Sequence, residues 1–353
     1  MQDDETRSID EENLRVWEAA HEDPEGSLSA AQKVQGRAEA ISYPRGRAEA
    51  LRTQAYTHAV MNDLETGLAG AHEALDVLNE AGVDEPDVAA TVHDSLANFY
   101  FFPGMYAQSF DHSNTGIEYA RQARATRVGA YCLRNLAEIY SKQHEFERAG
   151  ELYRESRRLF ESIDYRIGVA WTLYGVGEIE FEEGRLEGSL DHFQRVLEAV
   201  TEQEFGMLYA NARNGVARTL RRLGRLEEAL WWIDQAMSAP RQYARIRAET
   251  LLIHAHTRAA AGEEERALEI FRDAADVAST TDIPMSRSRH GRSALGASQR
   301  EATTTPPIRS RRGRPESAAR SAPRTGRRNA PVHGRCPEHL RTVQLPITPW
   351  SLQ

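Results

Sequence analysis

The chain has little cysteine, almost no lysine and no long apolar run, and each scarcity excludes something. Two cysteines in 353 residues, Cys132 and Cys336, lie in unlike surroundings and cannot build a disulfide framework, which suits a reducing compartment. No apolar stretch approaches the roughly 18 residues that a spanning helix needs. The acidic start Met1-Gln2-Asp3-Asp4-Glu5 lacks the basic and apolar segments of a secretory signal. The expectation is a soluble, cytoplasmic protein with no membrane partner. Among 44 basic residues only Lys33 and Lys142 are lysines, a bias that hints at a GC-rich coding sequence. Nowhere do apolar and polar residues alternate with period two, so strands are not expected.

Catalytic and metal-binding patterns are missing too. His72-Glu73 and His144-Glu145 have no second histidine four residues on, so the zinc-protease pattern fails. His254 and His256 stand two apart, on different faces of a helix. Gly175-Val176-Gly177 follows no strand, and neither a phosphate loop nor a nucleophile elbow occurs. The acids Glu178, Glu180, Glu182 and Glu183 read as a solvated run. No catalytic residue, metal or cofactor is therefore expected, and the chain is not expected to be an enzyme.

What is present is repetition. Leu186-Glu187-Gly188-Ser189-Leu190 returns as Leu226-Glu227-Glu228-Ala229-Leu230 and as Glu264-Glu265-Arg266-Ala267-Leu268. Earlier copies are Phe146-Glu147-Arg148-Ala149, Tyr106-Ala107-Gln108-Ser109-Phe110 and Leu64-Glu65-Thr66-Gly67-Leu68, with Ser27-Leu28 as a faint first. The small residue recurs at about forty-residue intervals, the mark of stacked supersecondary units. Within a unit, Leu133, Leu136, Ala137 and Tyr140 give one apolar helical face, and Phe146, Ala149, Tyr153, Ser156 and Phe160 give the next. Gly184, Gly224 and Gly262 stand where a first helix must end in a left-handed residue, and Pro103-Gly104 and Asp23-Pro24 break earlier pairs. A hairpin of two such helices cannot cover its own apolar surface, so each needs the next against it. The prediction is an all-α solenoid of about seven helix pairs over residues 10–283.

The pattern large–x2–Leu–small–x2–Tyr, then small, then aromatic, resembles the tetratricopeptide repeat family. It is carried best by Leu133, Leu136, Ala137, Tyr140, Ala149 and Tyr153, and by Leu173, Val176, Gly177, Ser189 and Phe193. The period departs from that family's 34 residues, being near 40, and the closing proline is missing. Long-helix variants of this kind are similar to the sensory or regulatory parts of bacterial signalling proteins. The resemblance implies a right-handed superhelix whose first helices line a concave groove that takes a protein or peptide ligand. Candidate groove residues are Asn98, Arg134, Asn135, Trp171, Tyr174, Asn211, Asn214, Arg218 and Arg221. Asn211, Asn214, Arg218 and Arg221 fall on one helical stripe, and the amides and guanidinium forks suit a ligand's carboxylate or backbone. The alternative for these residues is a solvated face, and for Trp171 and Tyr174 packing between neighbouring pairs.

The formal charge of −9 conceals a split. From Ser286 onward 14 arginines face three acids (Glu301, Glu316, Glu338), so that stretch carries about +11 and the rest about −20. Residues 284–353 are rich in Arg, Pro, Ser, Thr and Gly, and such a mixture cannot bury enough surface to offset its ordering entropy, so a disordered basic tail is expected. A nucleic-acid arm is the second reading of the tail, not favoured because no stacking aromatics are interleaved with its arginines. The third is a frameshifted translation. Read one frame over, Glu301-Ala302-Thr303-Thr304-Thr305-Pro306-Pro307 becomes a glycine, acidic or histidine residues, and alanines or prolines, suited to the break of an eighth pair. On that reading a further output domain, such as a nucleotide cyclase or a transcription regulator, has been lost, and the uncapped last helix with Leu268, Phe271 and Val277 favours self-association.

Overall fold

The computed structural model describes residues 2–20, 23–239 and 244–279. Among them are 14 α-helices and no strand. They run as seven hairpins: α1 (Gln2–Ala19) with α2 (Pro24–Ala40), α3 (Pro44–Val60) with α4 (Leu64–Ala81), and α5 (Pro86–Phe101) with α6 (Tyr106–Gln122). Then come α7 (Thr126–Lys142) with α8 (Phe146–Ser162), α9 (Arg166–Glu183) with α10 (Leu186–Ala199), α11 (Glu202–Arg222) with α12 (Leu226–Met237), and α13 (Ala244–Ala260) with α14 (Glu264–Ser279). The basic stretch 284–353, for which disorder is expected and a frameshifted translation is one reading, lies outside the described residues.

The hairpins stack into a right-handed superhelix because of where small residues fall. Ser109, Ala149, Ser189 and Ala229 are fully buried, each near the start of a second helix. There the hydroxyls of Ser109 and Ser189 donate to the carbonyls of Ala97 and Gly177 on the first helix, at 2.7 and 2.8 Å. A β-carbon on Gly67 would come within 2.8 Å of the Ala55 carbonyl oxygen, so only glycine allows that approach. One turn further Tyr153 and Phe193, and two turns beyond Tyr153 also Phe160, are fully buried and fill the space toward the following hairpin. The core is accordingly a string of clusters rather than one nucleus.

Helix ends keep a half-period of about twenty residues. Gly104, Gly184, Gly224 and Gly262 end first helices with φ between 78° and 83°, as the sequence predicts. The same left-handed turn is made by Ser42, Asn62, Arg124, His144 and Asp164; asparagine, aspartate and histidine enter it more readily than other side chains, so only Ser42 and Arg124 lack a local signal. The junction between α10 and α11 breaks the rhythm. Thr201 and Glu204 form a capping box there, and Phe205 is non-helical at φ −154°.

Each odd-numbered helix packs on the odd helix of the next hairpin, while even helices pack on the odd ones before and after them. The odd helices therefore form the inner row and the even helices the outer one.

Candidate functional site

On a helix of the inner row, positions i, i+4, i+7 and i+11 share one face. In successive helices this face carries Asp94 and Asn98 on α5, Tyr131, Arg134 and Glu138 on α7, and Trp171, Tyr174 and Glu178 on α9. Asn211, Asn214 and Arg218 on α11 and Arg245 and Glu249 on α13 continue it.

The first node is built around Arg134, which is 7% exposed. It pairs with Glu138 and donates to Oδ1 of Asn135 at 2.7 Å and to Oδ1 of Asn98 at 3.2 Å. Asn135 in turn donates through Nδ2 to the Asp94 carboxylate at 2.8 Å. The Arg134 guanidinium lies 5.2 Å from the centre of the Trp171 ring. Burial works against the Arg134 charge, but Glu138 and Asp94 outweigh it and hold the guanidinium above its ordinary range. Burial also pushes Asp94 up to about 6, against the pull of Arg134, the hydrogen bond from Asn135, and Arg52.

The second node is built around Arg218, 8% exposed, which pairs with Glu178 and lies 4.4 Å from the ring centre of Phe181. Asn214 accepts at Oδ1 from the Thr250 hydroxyl at 2.9 Å, while its Nδ2 is buried with no partner. The Nε groups of Arg134, Arg213, Arg218 and Arg221 are also buried without a partner, so the unpartnered buried side-chain atoms on α7 and α11 are all donors. Arg221 is half-buried one turn beyond Arg218; burial, then Arg222 and Arg218, depress its affinity for the proton. Trp171 and Tyr174 stand edge to face at 6.0 Å between the nodes. Burial raises the Tyr174 phenol well above its ordinary range.

Across the inner side, Arg245 of α13 stands 5.6 Å over the ring of Phe102, at the end of α5. Hairpins far apart in the chain therefore meet, and the stack curls back on itself.

All nine residues singled out in the sequence lie on odd helices. Asn98, Arg134, Asn135 and Trp171 meet at the first node, and Tyr174, Asn214 and Arg218 lie around the second. Asn211 is buried one turn before Asn214, and Arg221 extends the same helix. Asn135 is held by its neighbours on both sides of its amide. The acids Glu182 and Glu183 are exposed as expected, but Glu178 and Glu180 are not. Glu178 pairs with Arg218, and Glu180 lies 3.0 Å from His192. Helical turning puts these two on packed faces, which a run of acids conceals. Asp94, Glu138, Glu249 and Arg245 escaped the sequence reading. A signal existed: Asp94 and Arg134 are one period apart, as are Glu178 and Arg218, so opposite charges face one another across neighbouring repeats. Trp231, 55% exposed, and Trp232 lie on α12 in the outer row, away from this face.

Residues 135–294 match the family described as the MalT-like TPR region. A curated relative, the CTR9 homolog of Arabidopsis thaliana, is 24% identical over 172 residues, which take in 47% of this chain. The matched part is only 14% of that relative's length. Among solved structures, NprR in complex with its cognate peptide NprX is similar with a TM-score of 0.60 and 17% identity, covering 79% of this chain and 78% of that one. A Rap protein complexed with competence and sporulation factor is similar with a TM-score of 0.57 and 11% identity, covering 85% of this chain and 97% of that one.

Proposed function

We propose that this chain, whose helical body is a tetratricopeptide-repeat solenoid, recognises a peptide or an extended protein segment along its inner row of helices. It would do so as the sensory or adaptor part of a bacterial regulatory system, with no catalysis of its own. The observation that carries this reading is that the buried, unpartnered side-chain atoms of α7 and α11 are all donors, among them Arg134 Nε, Asn214 Nδ2, Arg218 Nε and Arg221 Nε. A peptide backbone or carboxylate supplies acceptors, and each buried donor it satisfies removes a desolvation penalty of about 1–3 kcal/mol. Trp171 and Tyr174, set edge to face between the two nodes, offer apolar ring surface for a side chain. The peptides bound by the NprR and Rap proteins of like fold support the same reading.

The test is selection from a displayed library of random linear peptides, followed by affinity measurement with a purified hit. Asn214→Ala with Arg218→Ala should weaken that hit at least tenfold at unchanged helicity, while Trp231→Ala on the outer row should leave it unaltered. Equal affinity in the inner-row variant and the parent refutes the assignment. Self-association through the last hairpin belongs to the same proposal, since Leu268 of α14 is 36% exposed; a strict monomer by light scattering at high concentration removes it.

A further inference from the structure

Behind α5, on the side away from Asp94, lies a cluster that the groove does not use. His93 of α5 is 9% exposed, and its Nδ1 stands 2.9 Å from Nδ1 of His112 on α6. The His72 ring of α4 has its centroid 5.9 Å from that of His112, and its Nε2 is 2.9 Å from the Tyr100 hydroxyl. Tyr100 stacks on His112 at 5.4 Å and Tyr119 on His93 at 5.6 Å, so aromatic faces take the place of water.

We propose that His72, His93 and His112 form a proton-sensitive joint through which mild acid loosens α5, the helix that presents Asp94 and Asn98. Two ring nitrogens 2.9 Å apart can share one hydrogen; charging both rings sets two N–H groups against each other. The surroundings offer little compensation. On His93 the charged groups that act are His112 and His72 alone, after burial, and together they hold it down to about 4. On His112 burial and His72 press downward, and only Asp111 pulls the other way. From α7 the nearby titratable group is Cys132, whose thiol burial pushes well above its ordinary range. No charged group of α3 acts on either ring: Arg52 of that helix acts on Asp94 instead. An opened chain takes protons on these imidazoles near pH 6.5. Each proton the closed cluster refuses shifts the opening equilibrium tenfold per pH unit below that point. His93 and Asp94 are neighbours in sequence, so a displaced His93 moves the wall that holds Asn135. The consequence for ligand holding rests on the function proposed above; the joint itself does not.

The experiment uses the full chain without a ligand. NMR titration of the imidazole protons should show His93 and His112 accepting protons well below pH 6.5. Amide exchange of α5, corrected for intrinsic rate, should lose about tenfold protection or more between pH 7.5 and 5.5. In His93→Gln with His112→Gln that loss should largely vanish. Titration of both rings near 6.5, or an equal loss of protection in the variant, overturns the proposal. If the double variant does not fold, the titration of the parent chain decides alone. Neither readout depends on a peptide, so its failure leaves the groove assignment standing.

Discussion

Replacing Gly175 with alanine sets two effects of opposite sign against each other within one residue. Alanine is favoured over glycine inside a helix by about 1 kcal/mol. In α9, however, the added β-carbon would lie 2.2 Å from Cζ of Tyr153 and 2.4 Å from its Cε1 and hydroxyl oxygen. Ordinary contact begins near 3.4 Å, so the ring or the helix must yield by more than an ångström. Tyr153 is 2% exposed and is boxed in by its own cluster, which leaves the α8–α9 spacing to give way. Overpacking of this kind costs about 1–3 kcal/mol, and the size of the overlap places it at the upper end. The net expectation is a loss of about 2 kcal/mol. Gly150, on α8, has nothing within 4 Å of its would-be β-carbon, so Gly150→Ala should instead gain up to about 1 kcal/mol. Urea unfolding followed by far-ultraviolet circular dichroism reads both changes as shifts of midpoint. Tyr153→Leu added to Gly175→Ala should recover part of the loss, because the two residues are in contact and their effects will not add. A Gly175→Ala chain as stable as Gly150→Ala would mean that neighbouring hairpins are not packed at this distance, and the account of stacking would fall with it.

Other expectations follow from the same geometry. Arg124 is exposed and left-handed at φ 53°, so Arg124→Gly should raise the thermal midpoint by an amount equivalent to about 1 kcal/mol; no rise would argue against that turn. Arg218→Met leaves Glu178 half-buried beside aromatic rings and should destabilise by about 2–4 kcal/mol. Adding Glu178→Leu should restore most of this, and no restoration would show that the ion pair is not what Arg218 contributes. Asp94 has a folded-state pKa of about 6 against an ordinary 3.8, so the folded chain binds this proton more readily than the unfolded one. Its contribution to stability is therefore full below pH 3.8 and is lost as pH rises through 6, opposite in sign to the histidine cluster. Asp94→Asn should accordingly be more stable than the parent by about 1 kcal/mol at pH 7.5, with the advantage fading toward pH 4; a constant difference would refute the linkage.

Helical character, the hairpin order and the contact positions of small residues and aromatics were written into the chain locally. Helical periodicity needs only a few consecutive residues, and a hairpin that cannot cover its apolar face dictates stacking. The glycine breaks are legible for the same reason, whereas Ser42 and Arg124 adopt left-handed turns that only the packing on both sides compels. Partnerships between helices needed the three-dimensional arrangement. His72, His93 and His112 stand on three different helices and look unrelated in the chain, yet they share one space. Glu178 reads as one acid among several until the neighbouring repeat brings Arg218 against it. Arg245 reaches Phe102 because small rotations between successive hairpins accumulate along the stack. Such a sum depends on every interface at once, and no local stretch of residues contains it.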